Sequence, residues 1–405
     1  MAANGIRLPL EGVRILDFTW VAAGPFGTMY LAMLGAECIR IGRVQDTAIG
    51  RRPITFSHRI AVTTSMEDIL VNKRSMLVDL KQPEGVELVK RLAKVSHAVA
   101  ENFQPGTMDK LGIGYEALRE VNPDIVMLSQ STNGATGPDR EDPGYAAIFA
   151  AMSGFGELLG YEDGPPVEMR VQSDLMSGTV GAFALLSALA GRRYNGPGQF
   201  VDSSNRELLS RFISETLMDY MVNRRNQTRK GAQHVAFAPH NCYRCAGDKR
   251  WISIVVRNDE EWRRLALEIG GEKLAEDDRF GDGFVRHQNR EALDELINAW
   301  TSEQNDIELM HKLQGLGIAA APTMYPDDLF GDPHLEARNW WRVIERGERG
   351  PYIIGGRTPW VMSETPSEHY EAGHNPGSDT DEVLRDLLDM DGAEIADLRA
   401  RRIVG

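Results

Sequence analysis

Asp174 stands directly before LMSGTVGAFALLSALA, a stretch that is apolar nearly all round and rich in small residues, so it marks the start of a helix expected to be buried. A carboxylate in that place is ordinarily a helix cap, and it acquires chemistry only where a reactive partner is brought to it. His240, Cys242 and Cys245 form a second constellation, H-x-C-x-x-C. Structural zinc needs a fourth ligand, and no second C-x-x-C or H-x-H lies nearby, so APHNCYRCAGDKRWISIVV is read as strand sequence and no metal is assigned. Gly112-Ile113-Gly114 is too short for a dinucleotide fingerprint, and G-x-x-x-x-G-K-[ST] is absent, so nicotinamide and ATP chemistry lose their usual support.

The elements that must position Asp174 are visible as periodicity. Up to about residue 200, short β-rich runs such as VRILDF, AECIRI, SHAVAENF and DIVMLSQS alternate with helical stretches such as GPFGTMYLAMLG and ALREVN. That alternation implies a parallel or mostly parallel sheet with helices on its faces. Asn195-Gly196-Pro197-Gly198 is a turn signal before the strand QFVDSS, and one long helix is expected from about Glu207 to Val222. RRNQTRKGAQ reads as a polar linker. Beyond it a hairpin around Ala246-Gly247-Asp248 and the helical DEEWRRLALEIG and REALDELINAW predict a smaller α+β domain, after which the last eighty residues return to the first.

The 405 residues are 42% hydrophobic and 26% charged, an ordinary globular composition, and the formal net charge is −14. Bulk attraction to nucleic acid or to an anionic membrane is not expected, although a local Arg cluster could still hold an anionic ligand. No basic segment followed by a long apolar core opens the sequence, and no stretch reaches about 18 uninterrupted apolar residues, so the reading is a soluble cytoplasmic protein. Three cysteines make no disulfide framework in a chain this long, which fits a reducing compartment.

Several separated segments together resemble one family. They are LEGVRILDFTWVAAGPF with LGAECIRI, NKRSMLVDLKQPEG, ENFQPGTMDKLGIGY, STNGATGP, PGYAAIFAAMSG, DLMSGTVGAFALLSALAGR, GPGQFVDSSNRE and, near the end, DPHLEARNWW and TDEVLRDLLDMDGAEIADL. The chain is similar over nearly its whole length to the class III CoA transferases, the group that includes the formyl-CoA and carnitine CoA transferases and the related 2-methylacyl-CoA racemases. The resemblance implies a large Rossmann-like domain built from both chain ends (1–220 and 330–405), a small α+β domain (221–329), and two subunits interlocked like links of a chain. The partner subunit is expected to be a second copy or a related chain.

On the same ground Asp174 matches the family's nucleophilic aspartate. The positive end of the helix dipole is expected to keep it ionised and accessible, ready to attack a thioester carbonyl. The resemblance implies contacts to coenzyme A for Val21, Ala23, Arg43, Arg74, Asn102, Phe103 and Lys110. The CoA thioester is a substrate, with no permanently bound cofactor. Ala22, Tyr145 and Ala146 are expected to line the acyl site. Some family members carry a glutamine at the position of Ala22 and an acid at that of Ala146, and a glycine-rich loop of the formyl-CoA branch is here GAQHVAFAPHN. Smaller and less polar residues there predict a bulkier, partly apolar acceptor, such as an aromatic succinate, with succinyl-CoA as donor. A racemase would need an acid and a base across the α-carbon, and its usual histidine is Tyr145 in this chain. A non-catalytic CoA-binding subunit of a heteromeric transferase is the third reading, opposed by the presence of Asp174.

Overall fold

Four strands of the first half send alternate side chains to two different cores, which is what buries both faces of a parallel sheet. The computed structural model describes residues 7–44, 68–345, 350–354, 356–367 and 370–405, so the first six residues of the targeting argument lie outside it. The chain falls into two compact units, one made of Met1–Gly156, Glu168–Arg225 and Ala337–Gly405, the other of Glu157–Val167 and Asn226–Glu336.

The first unit is built on six parallel strands: β1 (Arg14–Asp17), β2 (Glu37–Gly42), β3 (Lys73–Leu77), β4 (Ala98–Glu101), β5 (Val126–Ser131) and β6 (Phe200–Ser204). Their spatial order is 3-2-1-4-5-6. The order reverses between β1 and β4, so the loops leaving those two strands diverge and open a crevice at the carboxyl ends of the sheet, where ligands bind in folds of this type. The helices used below are α1 (Ala23–Met33), α2 (Pro83–Lys94), α3 (Thr107–Lys110), α4 (Tyr115–Val121), α5 (Ala146–Met152) and α6 (Gln172–Asn195).

Leu16, Ile39, Val99 and Met127 point to one face, where α2 supplies Leu88, Val89 and Leu92 and the C-terminal helices Thr380–Leu388 and Gly392–Ala400 supply Val383, Leu384, Ile395 and Leu398. Full burial of each such Leu or Val contributes about 1.5–3 kcal/mol. Ile15, Cys38, Ala98, Ala100, Val126 and Leu128 point to the other face, against Leu31 of α1 and Ala182, Leu185 and Ala188 of α6. The small residues on this face let α1 and α6 settle close to the sheet and to each other. A Cβ on Gly27 would come within 2.4 Å of the Gly178 carbonyl oxygen, and one on Gly178 within 2.1 Å of the Ala23 oxygen. The two helices therefore cross with backbones in contact, which only glycine allows.

Two expectations are corrected. Helix α6 is not buried all round: Phe183, 70% exposed, and Tyr194 stand on a face that no described residue of the chain covers. Packing uses only the Gly178, Ala182, Leu185, Ala188 stripe, and apolar composition alone cannot tell which stripe will be covered. By length and composition α6 could cross a membrane, yet that stripe is buried in the unit. The helix expected from Glu207 to Val222 is two, Asn205–Arg211 and Ser214–Asn223, because Ile213 leaves helical conformation at φ −111° and ψ 30°.

The second unit carries an antiparallel sheet of β7 (His240–Arg244), β8 (Trp251–Val255) and β9 (Ala319–Pro322). The β7–β8 turn contains Gly247 at φ 101°, the left-handed conformation that glycine adopts without strain. Helices Asp259–Ala275, Arg290–Thr301 and Asp306–Gly315 close its core through Trp262, Leu265, Leu293, Ile297, Leu309 and Leu313. Cys242 and Cys245 are free thiols, and among the described residues no three His, Cys, Asp or Glu side chains gather to hold a metal.

Candidate active site

Asp17, the last residue of β1, anchors the turn into α1 from below. Its Oδ1 accepts the Thr19 amide at 3.0 Å, and its Oδ2 accepts Thr28 Oγ1 at 2.7 Å and Lys73 Nζ at 3.1 Å. Lys73 also donates to Thr28 Oγ1 at 2.6 Å and to the Pro25 carbonyl at 2.8 Å. Both charges are almost wholly buried, an arrangement tolerable only because each is hydrogen-bonded as well as paired. On this base Val21 is held at φ 63°, a left-handed conformation that a β-branched residue adopts only where its surroundings impose it.

Asn102 ties that turn to the loop after β4. Its Oδ1 accepts the Trp20 amide at 2.9 Å while its Nδ2 donates to the Trp20 carbonyl at 3.0 Å. The two hydrogen bonds span the switch point of the sheet. Next to it the Glu101 carboxylate accepts the Phe103 amide at 2.7 Å. Burial pushes Glu101 up to about 7, against the opposing pull of its hydrogen bonds from Ser129 and Phe103.

The glycine contact between α1 and α6 sets the first turn of α6, and with it Asp174, beside Val21–Ala23. Gln130 of β5 holds the following turn by donating from Nε2 to the Ser177 carbonyl at 2.7 Å. Among the described residues nothing hydrogen-bonds or ion-pairs with the half-buried Asp174 carboxylate. Burial pushes it up to about 6. Burial thus works against the ionised form that the helix dipole was expected to favour. At neutral pH the group is still mostly ionised, unpartnered and reachable, the state a carboxylate nucleophile needs.

A cleft of about 250 Å³ lies over this floor. It brings together Asp174, Val21, Ala22, Ala23, Asn102, Phe103 and Tyr145 from the sequence reading. Four expected residues stand elsewhere. Ala146 is buried at the start of α5, its carbonyl accepting Ser173 Oγ at 3.2 Å. Arg43 is exposed just beyond β2, and Lys110 is exposed at the end of α3, whose first residue Thr107 does line the cleft. Arg74 lies on β3 toward the amino-terminal end of the strands, paired with Glu37 at 2.7 Å and Glu382 at 3.2 Å. The cleft also contains Trp20, Gln130, Ser131, Arg140 and Asn205, which the sequence reading did not single out. The signal available for them was position: Gln130 and Ser131 end β5, Asn205 follows β6, and strand ends beside a switch point face the crevice.

The model of CoA-transferase family III matches residues 10–381. The chain is 32% identical, over the full length of both, to the succinyl-CoA–L-malate CoA-transferase beta subunit of Chloroflexus aurantiacus. It is 30% identical to the succinate–glutarate CoA-transferase of Agrobacterium fabrum, covering 94% of this chain and 96% of the relative. Among solved structures, a CaiB/BaiF family protein from Brucella suis superposes with a TM-score of 0.84 at 28% identity, covering 94% of this chain and all of the other. With a match across nearly its whole length and a carboxylate-bearing crevice in the unit that carries most of it, this chain belongs to CoA-transferase family III and is a CoA transferase.

Proposed function

We propose that the chain moves coenzyme A from succinyl-CoA to a dicarboxylic acid with a bulky, partly apolar substituent, an aromatic succinate being the example, with Asp174 as the nucleophile. The observation that carries this is the unpartnered Asp174 carboxylate in the cleft at the sheet's switch point. The Asp174 carboxylate adds to the thioester carbonyl and the C–S bond breaks, giving a mixed anhydride and CoA thiolate. The thiolate returns to the aspartyl carbonyl, releasing the donor acid and leaving an aspartyl-CoA thioester. The acceptor carboxylate then displaces CoA to form a second anhydride, and the thiolate attacks its acyl carbonyl, freeing Asp174 and the new acyl-CoA. Each step exchanges one carboxylate or thiolate for another, so none consumes a proton.

Donor and acceptor class follow the relatives, whose names carry succinyl-CoA with malate and succinate with glutarate. The bulky substituent is supported by the exposed rings of Trp20 and Tyr145 at the cleft and by Ala22, which adds no polar group there. Val21 and Ala23 would meet the pantetheine arm, and Asn102 and Phe103, which line the same cleft, the nucleotide. Arg43 and Lys110, exposed beyond the carboxyl ends of β2 and β4, suit the phosphates, whereas Arg74 would have to exchange its carboxylate partners to do so. A second copy or a related subunit would cover Phe183 and Tyr194 of α6 together with Met218, Met221 and Val222 of the Ser214–Asn223 helix, all exposed in the single chain. The free thiols Cys38, Cys242 and Cys245 fit a cytoplasmic setting.

The test is to incubate the purified chain with succinyl-CoA and a panel of mono- and dicarboxylic acids and to read new thioesters by mass. Succinate release matched by a new acyl-CoA is expected, greatest for substituted succinates. Hydrolysis alone, or no thioester from any acid, would refute the reading.

A further inference from the structure

Two side chains at the ends of β5 and β6 carry buried polar atoms without a partner, Ser131 Oγ and Asn205 Oδ1. The residues are only 7% and 6% exposed, and both line the cleft that holds Asp174. Ser131 stands in register with Ser204, the residue before Asn205, so the two side chains belong to adjacent strand ends. Asn133 Oδ1, two residues on from Ser131, is orphaned too but does not line the cleft, whereas three other neighbours are satisfied. Thr132 Oγ1 donates to the Gly144 carbonyl at 3.1 Å, Asp202 Oδ1 accepts the Ala135 amide at 2.7 Å, and Ser204 Oγ accepts the Glu207 amide at 3.2 Å. An orphaned buried donor or acceptor is destabilising, and a pair of them on the wall of a substrate cleft is most simply accounted for by a substrate group that completes them.

The chemistry of that group follows from the two side chains. A hydroxyl both donates and accepts, so it can give its proton to the Asn205 oxygen and take one from Ser131. If the Asn205 amide is turned over, the same hydroxyl accepts from its NH₂ instead. A methylene leaves both side chains unpaired. An ionised carboxylate would face the Asn205 oxygen, and Arg140, the cation among the described lining residues, suits it better. We infer that Ser131 and Asn205 form a subsite for a hydroxyl on the acyl group, which narrows the acceptor of the transferase reading, on which this inference rests, to a hydroxy-substituted carboxylic acid.

The experiment compares acceptors that differ by one hydroxyl, citramalate against methylsuccinate and benzylsuccinate against its benzylic alcohol, with succinyl-CoA as donor. It uses the wild-type chain, Ser131→Ala and Asn205→Leu. The wild type is expected to favour the hydroxylated member of the better pair by at least about tenfold in kcat/KM, because an analogue lacking the hydroxyl strands both groups. Either substitution should bring that ratio toward one. The melting temperature without substrate should stay level or rise, since an orphan has been removed. A wild-type ratio near one, a ratio unmoved in both variants, or a lowered melting temperature with the ratio intact would overturn the subsite and make the two groups structural or water-holding. Transfer to both members of each pair at equal rates defeats only this inference, whereas no transfer to any acid defeats the transferase reading and the subsite with it.

Discussion

On the β1 side of the cleft Asp17, Thr19, Thr28 and Lys73 satisfy one another and Asn102 is hydrogen-bonded at both ends of its amide, whereas on the β5 and β6 side Ser131, Asn205 and Asp174 meet the cleft without partners. Ser131 and Asn205 are buried nearly as deeply as Asp17 and Lys73, with Asp174 half-buried between solvent and helix, so depth alone does not separate Ser131 and Asn205 from the paired groups. Pairing does. A buried charge with its opposite and its hydrogen bonds fixes a backbone, here the turn that holds Val21 at positive φ. Ser131 Oγ and Asn205 Oδ1, buried with no partner, fix no backbone in this way.

The sharpest way to break this contrast is Asp174→Asn. The variant keeps the shape of the side chain and removes the proposed nucleophile, so CoA transfer from the proposed donor succinyl-CoA should fall by at least about a thousandfold while the protein stays folded. Activity above about a hundredth of wild type would put the nucleophile elsewhere. On the proposed mechanism the same carboxylate should set the acid side of the pH profile. Its raised value near 6 means that the ionised fraction, and with it kcat/KM, should climb as pH rises through about 6. A profile flat down to pH 5 would remove Asp174 from the rate.

On the paired side the expected effect is on stability. Lys73→Met leaves Asp17 buried without its cation, and breaking a buried pair from one side typically costs about 3–5 kcal/mol. Urea unfolding monitored by circular dichroism should show that loss, and adding Asp17→Asn should restore part of it, because the stranded charge is then gone. A single-variant cost under about 1 kcal/mol, in the range of exposed pairs, would mean that the β1 side is no more a scaffold than the other.

How much of this was legible in the sequence depends on what each feature needs. The parallel sheet and the helix at Asp174 are local patterns, alternating β runs and an apolar stretch behind a carboxylate; the sheet stands in the structure, and the helix begins at Gln172, with Asp174 in its first turn. The break at Ile213 was hidden because ELLSRFISETLMDYMV carries no Gly or Pro to announce it. The Asn102 clamp on Trp20 joins the loops that follow two different strands, so nothing in ENFQPG distinguishes an amide that grips the backbone from one left free for a ligand. Arg74 reads as a phosphate partner until the register of β2 and β3 brings Glu37 to it. The exposed face of α6 was invisible for the same reason: composition says how apolar a helix is, and only packing says which side is covered.

The smallest effect runs against intuition and tests the unpaired side directly. A carboxyl whose pKa is raised on folding binds its proton more tightly in the folded state than in the unfolded chain. Its contribution is therefore most favourable in acid, below the unfolded value of about 3.9, and is lost as pH climbs through the folded value of about 6. At pH 8 the ionised, half-buried Asp174 is a net burden on the fold. Asp174→Asn, neutral at every pH, should then be more stable than wild type at pH 8 by about 1–2 kcal/mol, the full shift being discounted because part of the group faces solvent. The gain should shrink toward zero near pH 4. Melting curves of both proteins at pH 4, 6 and 8 decide the matter. If Asp174→Asn is instead less stable at pH 8, the carboxylate has a stabilising partner in solution, and Asp174 belongs with Asp17 among the groups that hold the cleft in shape.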